Sequence, residues 1–192
     1  MRKVFLIIIF IFNAHSLTIA DDSVTDFQIE GMSIGDSALD YFAKSDIINN
    51  SQDYYKNKKF TKVQNDFYDF FKIYDAVDYH FKTGDKKYIF HNLGGVLIYQ
   101  DNIQDCYPKM DEISLSIENN FSYFKKFEKA TFKHAGDSTG KSIITDITYE
   151  FKDGYIVILC YDYSKEHGGQ DHLSVAVDTK ELNKWLIDEA WE

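Results

Sequence analysis

The stretch IITDITYEFKDGYIVILCYDY, residues 143–163, decides the fold of this chain. Apolar and polar residues alternate up to Asp153-Gly154 and alternate again after it. An Asp-Gly pair between two such runs is a strong signal for a β-hairpin closed by a type I′ turn. The predicted cross-strand pairs are Phe151 with Ile156, Tyr149 with Ile158, and Ile147 with Cys160. These six side chains share one face of the hairpin, so Cys160 is predicted to point into the core.

The first twenty residues have the pattern of a targeting segment. Arg2 and Lys3 are followed by an unbroken apolar run at 4–12, which is too short to span a bilayer, and by small residues at 18–20. The sequence predicts a signal peptide at 1–20 and a single exported domain at 21–192, in the periplasm or secreted. An uncleaved membrane anchor is the alternative. No later stretch is apolar enough to cross a membrane, so no span is expected after signal cleavage.

The net charge and the arginine content of the chain limit the classes of partner that it is expected to bind. The formal net charge is −10, and Arg2 is the only arginine. An acidic surface repels nucleic acid and anionic lipid, and a chain without further arginine lacks the planar fork that clamps phosphates in two places. We therefore expect no nucleic-acid partner. No cofactor is predicted.

Two cysteines, Cys106 and Cys160, are the only ones in the chain. Apolar residues from Ile103 to Phe124 step by three or four, which predicts a helix of several turns beginning near Asp105, with Cys106 on its inward stripe. If this helix packs on the sheet, the two thiols meet. In an exported chain a disulfide is then expected. Two buried free thiols are the alternative.

The other segments complete a mixed fold. Alternation at 75–82, 88–91 and 96–99 predicts a meander of three strands, and residues 60–74 fit a helix and a strand equally well. Leu173, Val175 and Val177 predict a further strand, and Asp178 with Glu181 predicts the cap of a last helix. The fold class is therefore α+β: a mainly antiparallel sheet, one long helix across it, and short helices near both ends.

Residues 135–142, AGDSTGKS, match the relaxed pattern of a phosphate-binding loop. That loop needs a strand before it and a helix after it, so that backbone N–H groups converge on the phosphates. Here the residues that follow alternate as a strand. We therefore predict no nucleotide site, and interpret the segment as a polar connection into the hairpin.

One loop gathers four residues of metal-ligand type: Glu166, His167, Asp171 and His172. Neutral imidazole and carboxylate suit zinc or another divalent ion, although the spacing matches no known metal motif. Nearby, His134, Asp137 and Ser138 are the residue types of a hydrolytic triad. Triad members usually come from separate elements, so a polar loop is the preferred interpretation of these three.

The segments Ile29–Ser37, Cys106, Gly140–Ser142, Cys160–Glu166 and Leu173–Val177 together resemble a family of small exported proteins of unknown function from marine bacteria with AT-rich genomes. This resemblance spans most of residues 21–192. It implies a shared fold and export, and transfers no activity. Locally, the pattern I-x-G-M-S at 29–33 before an amphipathic helix is similar to the BamE-like envelope modules, without the lipidated cysteine of that family.

The function that the sequence favours is non-enzymatic: a periplasmic binding protein or an envelope-associated module, with a small molecule or an envelope protein as its partner. The chain has 14 tyrosines and 16 phenylalanines, which permit an aromatic groove for a small molecule or a glycan. The alternatives are a small hydrolase, which would join His134, Asp162 or His172 with a nucleophile in a pocket, and a metal-binding protein that uses the 166–172 loop.

Overall fold

The computed structural model describes residues 22–66, 68–100 and 102–192. These residues form a single antiparallel sheet of nine strands, on which the helices pack. The predicted signal peptide at 1–20 lies outside the described residues. The strands are β1 (Ser51–Gln52), β2 (Phe60–Asp66), β3 (Ala76–Lys82), β4 (Asn92–Gln100), β5 (Lys125–Lys126), β6 (Ala130–Lys133), β7 (Ile143–Glu150), β8 (Gly154–Asp162) and β9 (Asp171–Thr179). Their order is β1-β2-β3-β4-β9-β8-β7-β5, and β6 also pairs with β7.

Three α-helices accompany the sheet: α1 (Lys44–Asn49), α2 (Cys106–Asn120) and α3 (Lys180–Asp188). Short 3₁₀ turns at Val24–Asp26, Ala38–Asp40 and Ile103–Asp105 complete the helical structure of the described residues. The fold class is α+β, as predicted. In the part of the chain that the structure describes, no helix has the length and apolar character needed to cross a membrane.

The two faces of the sheet are covered differently. On the first face, α2 contacts β8 and β9 and buries Cys106, Met110 and Ile117 in the main core. On the second face, α3 covers one end of the sheet and forms a smaller core around Trp185 and Phe60. The part of the second face that α3 does not cover is open, and it contains a groove.

The predicted disulfide is present. Cys106, in the first turn of α2, is bonded to Cys160 of β8, and both residues are buried. The bond ties the helix to the centre of the sheet from its first face.

The central hairpin is formed by β7 and β8, but its register differs from the prediction by two residues. Tyr149 pairs with Ile156 and Ile147 with Ile158, because the chain turns at Lys152-Asp153. A shift of two residues leaves every side chain on its predicted face, so the six predicted core residues, including Cys160, are all buried. Neither Asp153 nor Gly154 has a positive φ, so the predicted type I′ turn is wrong.

Position 154 requires a glycine because of its close contact with β9 and not because of the turn. A Cβ atom there would lie 2.2 Å from the main-chain oxygen of Asp178, because β9 passes close by. The Asp153 carboxylate instead anchors the segment that precedes the first 3₁₀ turn: it accepts hydrogen bonds from the Ser23 hydroxyl and the Val24 N–H.

Other boundaries also differ from the sequence-based expectation. The ambiguous segment at 60–74 begins as the strand β2, and the predicted strands at 88–91 and 96–99 are replaced by one strand, β4. Gly94 and Gly95 lie inside β4, where Asp78 and the Tyr74 ring come too close for a Cβ atom. The cap of α3 is Thr179, whose hydroxyl accepts from Leu182 N–H, and not Asp178.

Candidate binding groove

A groove of about 410 Å³ lies on the open part of the second face. Its floor consists of side chains from five strands, β2, β3, β4, β8 and β9, and the β8–β9 loop, Tyr54 and His134 form its rim. The lining residues are Tyr54, Lys62, Gln64, Asp78, Val96, Ile98, His134, Tyr161, Tyr163, His167, Gly169, Gln170, His172 and Ser174. The volume is within the range of small-molecule sites, about 300–1,000 Å³.

Strand alternation selects these residues. Side chains at every second position share a face, and the register places Ile98 beside His172 and His172 beside Tyr161. Tyr161 is two residues from Tyr163 along β8 and its extension, so both lie on this face. The groove therefore arises from the pairing of strands that are far apart in sequence.

A stack of four near-parallel rings forms one side of the groove. The ring centroids of His172 and Tyr161 are 4.4 Å apart with planes inclined by 18°, and those of Tyr163 and His167 are 4.7 Å apart and inclined by 17°. Tyr161 and Tyr163 are parallel within 13°. The His134 ring is tilted by 58° relative to the Tyr163 ring, and their centroids are 5.3 Å apart. Burial lowers the pKa of His172, so this imidazole is neutral near pH 7.

An ion pair marks the other side of the groove. Lys62 Nζ lies 3.0 Å from Asp78 Oδ2, and both side chains are about four-fifths covered. Burial alone would lower the pKa of Lys62, but the Asp78 carboxylate outweighs it and raises the pKa. Asp78 lies over Gly94, where a Cβ atom would be 2.2 Å from its carboxylate oxygen. Together with Gln64 and Ser174, this pair places hydrogen-bond donors and acceptors opposite the rings.

The four predicted metal ligands are not gathered at one point. Asp171 and His172 are neighbours in β9, so their side chains lie on opposite faces of the sheet. Asp171 is buried and accepts from Tyr163 N–H, while Glu166 forms an ion pair with Lys141. Within the described residues, no three His, Cys, Asp or Glu side chains are placed to hold a metal ion. The metal hypothesis itself stays a prediction.

The AGDSTGKS segment is a loop closed around its own aspartate. The Asp137 carboxylate accepts hydrogen bonds from the N–H and hydroxyl groups of both Thr139 and Ser142, at 2.6–2.9 Å. These bonds hold the pKa of Asp137 far below its usual range. The strand β7 follows the loop, as the sequence predicted, where a phosphate-binding loop would be followed by a helix.

The residue types of a hydrolytic triad are also separated. Asp137 is bonded within its own loop, Ser138 is exposed, and His134 accepts from Gly136 N–H while its ring contacts Tyr163. Asp162 alternates with Tyr161 along β8 and therefore faces away from the groove. Of the side chains proposed for a hydrolase, the groove brings together His134 and His172.

A buried chain of four hydrogen-bonded side chains borders the groove beneath α3. Asn92 Nδ2 donates to Asp178 Oδ1 at 2.6 Å, and Asn92 Oδ1 lies 2.8 Å from His80 Nδ1. His80 Nε2 lies 2.9 Å from the hydroxyl of Tyr55. With His80 protonated on Nδ1, every donor points toward Asp178. Burial lowers the pKa of His80 to about 4 and raises that of Asp178 to about 6.

The sequence alone did not indicate several of these residues. Four of the polar residues that line the groove are single positions in alternating strands: Lys62, Gln64, Asp78 and Ser174. Their only signal in the sequence was a polar residue at every second position. Tyr55, Asn92 and Asp178 gave no signal as a set, because they come from three distant segments. No protein-family model, curated protein or solved structure matches the chain. The resemblances noted from the sequence therefore stay predictions.

Proposed function

We propose that the chain is an exported, non-enzymatic binding protein whose groove holds a small, neutral molecule rich in hydroxyl groups, such as a sugar. Export is supported by the targeting pattern at residues 1–20 and by the Cys106–Cys160 disulfide, since such bonds persist in oxidising compartments.

The observation that carries the proposal is the lining of the groove. A hydroxyl group donates one hydrogen bond and accepts others, so it fits a site that offers donors and acceptors side by side. Lys62 offers donors only, Asp78 acceptors only, and Gln64 offers both. The rings on the opposite side supply apolar surface against which carbon–hydrogen groups can pack. Ligand sites typically combine aromatic walls with a few polar groups in this way.

Charge supports a neutral ligand. The Lys62 ammonium is already compensated by Asp78 at 3.0 Å, so it offers an anion little uncompensated charge. The net charge of −10 repels anions further. His172 is held neutral by burial. A ligand without net charge meets none of these penalties.

The two alternatives from the sequence need groups that the groove does not bring together. A hydrolase of the predicted kind would place a carboxylate behind its histidine, and Asp162 faces the opposite side of the sheet from His172. A metal site at 166–172 would draw on Asp171, which faces the same way as Asp162. A protein that binds its ligand without catalysing a reaction needs only the side chains that the groove already brings together.

Isothermal titration calorimetry with glucose, galactose, xylose, N-acetylglucosamine and their short oligosaccharides tests the proposal. We expect at least one sugar to bind with a Kd between about 1 μM and 1 mM. Tyr163→Ala removes a ring from the stack and should weaken that binding at least about tenfold, or about 1.4 kcal/mol. Tyr123→Ala is the matched control, because Tyr123 is an exposed tyrosine outside the groove.

The proposal fails if no sugar in the panel binds with a Kd below about 1 mM. It also fails if Tyr163→Ala and Tyr123→Ala bind equally well. Turnover of a bound sugar would favour the hydrolase, and Zn²⁺ binding that is lost in His167→Ala/His172→Ala would favour the metal hypothesis.

A further inference from the structure

A second, more apolar cavity of about 460 Å³ adjoins the groove. Its lining residues are Tyr54, Phe132, Lys133, His134, Ala135, Gly136, Ile144, Tyr161 and Trp191. Three of them, Tyr54, His134 and Tyr161, also line the polar groove. The two spaces therefore lie side by side on the second face, with these three side chains at their common border.

The strand register explains why the two spaces are adjacent. A single row of cross-strand neighbours runs across the sheet from Phe132 to Ile144, Tyr161, His172 and Ile98. The first two residues belong to the apolar cavity, Tyr161 is shared, and the last two belong to the polar groove. Adjacent strands lie about 4.8 Å apart, so the row is roughly 19 Å long.

The apolar cavity carries large exposed rings. Trp191, Tyr54 and Phe132 remain 53%, 57% and 47% exposed, whereas Ile144 on the floor is buried. Trp191 is held in place by ring contacts to Tyr54 and Tyr55, with centroids 5.4 and 5.1 Å away. Half-exposed aromatic side chains around one concavity leave apolar area that a ligand can remove from water.

We propose that the ligand is amphipathic: a hydroxyl-rich head in the polar groove, covalently joined to an aromatic or short alkyl group that occupies the cavity between Trp191 and Phe132. This inference rests on the proposed sugar-binding function and names its ligand class, a glycoside with an apolar aglycone. The shared residues support one ligand over two, because the head and the apolar group would meet at Tyr161.

The test compares methyl and phenyl β-glycosides of glucose, galactose, xylose and N-acetylglucosamine, titrated into the full exported protein by calorimetry. Methyl and phenyl glycosides share the head and differ only in the group that would enter the apolar cavity. For the head that binds, we expect the phenyl glycoside to bind at least about tenfold more tightly than the methyl glycoside. Trp191→Ala and Phe132→Ala should each reduce this ratio, because each removes a ring that the phenyl group would contact.

Leu115→Ala is the matched control, since Leu115 is an exposed apolar residue on α2, on the other side of the sheet. Phe132→Ala guards against a folding effect of Trp191→Ala, because Trp191 also contacts Tyr55. Equal affinities for methyl and phenyl glycosides would overturn the inference and leave sugar binding intact. A phenyl preference that persists in both variants would also overturn it. If no glycoside of either kind binds, the proposed function itself fails.

Discussion

The imidazole of His172 lies face to face with the phenol ring of Tyr161, with centroids 4.4 Å apart, because the two residues are direct cross-strand partners. Burial lowers the pKa of His172. Removing the ring in Tyr161→Ala admits water to the imidazole, so we expect its pKa to rise toward the ordinary value of about 6.5. An NMR titration of the imidazole C–H resonances measures this change.

The same titration on Tyr123→Ala provides the reference, because that tyrosine lies outside the groove. The pKa of His172 should be unchanged there. An unchanged pKa in Tyr161→Ala would show that the ring does not shield His172, and would argue against the packing described for the groove.

The disulfide between Cys106 and Cys160 closes a loop across a sequence separation of 54 residues. In the chain-entropy model such a cross-link stabilises the fold by about 4 kcal/mol. We expect the double variant Cys106→Ala/Cys160→Ala to unfold at about 2 M less urea, given a denaturant dependence of about 2 kcal/mol per molar. Equilibrium urea unfolding followed by tryptophan fluorescence measures the midpoint.

The single variant Cys106→Ala is the control for this prediction, because it removes the bond and keeps the second cysteine. Its midpoint should fall close to that of the double variant. A midpoint equal to that of the unmodified protein would contradict the stabilising role of the bond.

The close approach of Gly154 to β9 predicts a costly substitution. In Gly154→Ala the new Cβ would meet the main-chain oxygen of Asp178 at 2.2 Å and the Val24 side chain at 2.8 Å. The oxygen belongs to the backbone of a central strand, so relief requires β8 and β9 to separate. We expect a loss of about 3 kcal/mol in the free energy of unfolding.

Gly84→Ala separates this clash from ordinary glycine effects. Gly84 has φ +85° and nothing within 4 Å of a new Cβ, so only the left-handed backbone is strained, at about 1–2 kcal/mol. Chemical denaturation of both variants gives the comparison. Equal losses would mean that β9 does not constrain position 154.

The buried chain of Tyr55, His80, Asn92 and Asp178 predicts opposite pH effects at its two titratable groups. The folded pKa of His80, about 4, is below the ordinary value, so its contribution to stability is lost as pH falls from about 6.5 to 4. The folded pKa of Asp178, about 6, is above the ordinary value, so its contribution is present at low pH and is lost as pH rises from about 4 to 6. In the intact protein the two effects largely cancel.

Single substitutions should reveal each effect. Asp178→Asn leaves the His80 effect, so stability should increase more steeply with pH between about 4 and 6.5 than in the unmodified protein. His80→Gln leaves the Asp178 effect, so the slope should change in the opposite direction. One proton of difference corresponds to about 1.4 kcal/mol per pH unit. Urea unfolding at several pH values measures the slopes; slopes that change in the same direction would refute the assignment.

Local patterns were sufficient to predict several elements. Alternation of period two gave the strands of the central hairpin and their inward face, and steps of three and four gave α2 with Cys106 on its buried stripe. Those two inferences together placed Cys106 opposite Cys160. They succeeded because side-chain direction in a strand or helix depends on spacing along the chain, which the sequence contains. For the same reason, the error of two residues in the predicted hairpin register left the predicted buried faces correct.

The groove and the turn depended on contacts that the sequence does not contain. The hairpin turns at Lys152-Asp153, and Gly154 lies inside β8, where β9 passes at a distance that excludes a side chain. The row from Phe132 to Ile98 exists only when β6, β7, β8, β9 and β4 pair in one register. Thus the sequence by itself determined the strands of the central hairpin, α2, their buried faces and the disulfide through local periodicity. Only the tertiary structure decided which polar and aromatic side chains meet on the second face, because strand order and register arise from long-range pairing.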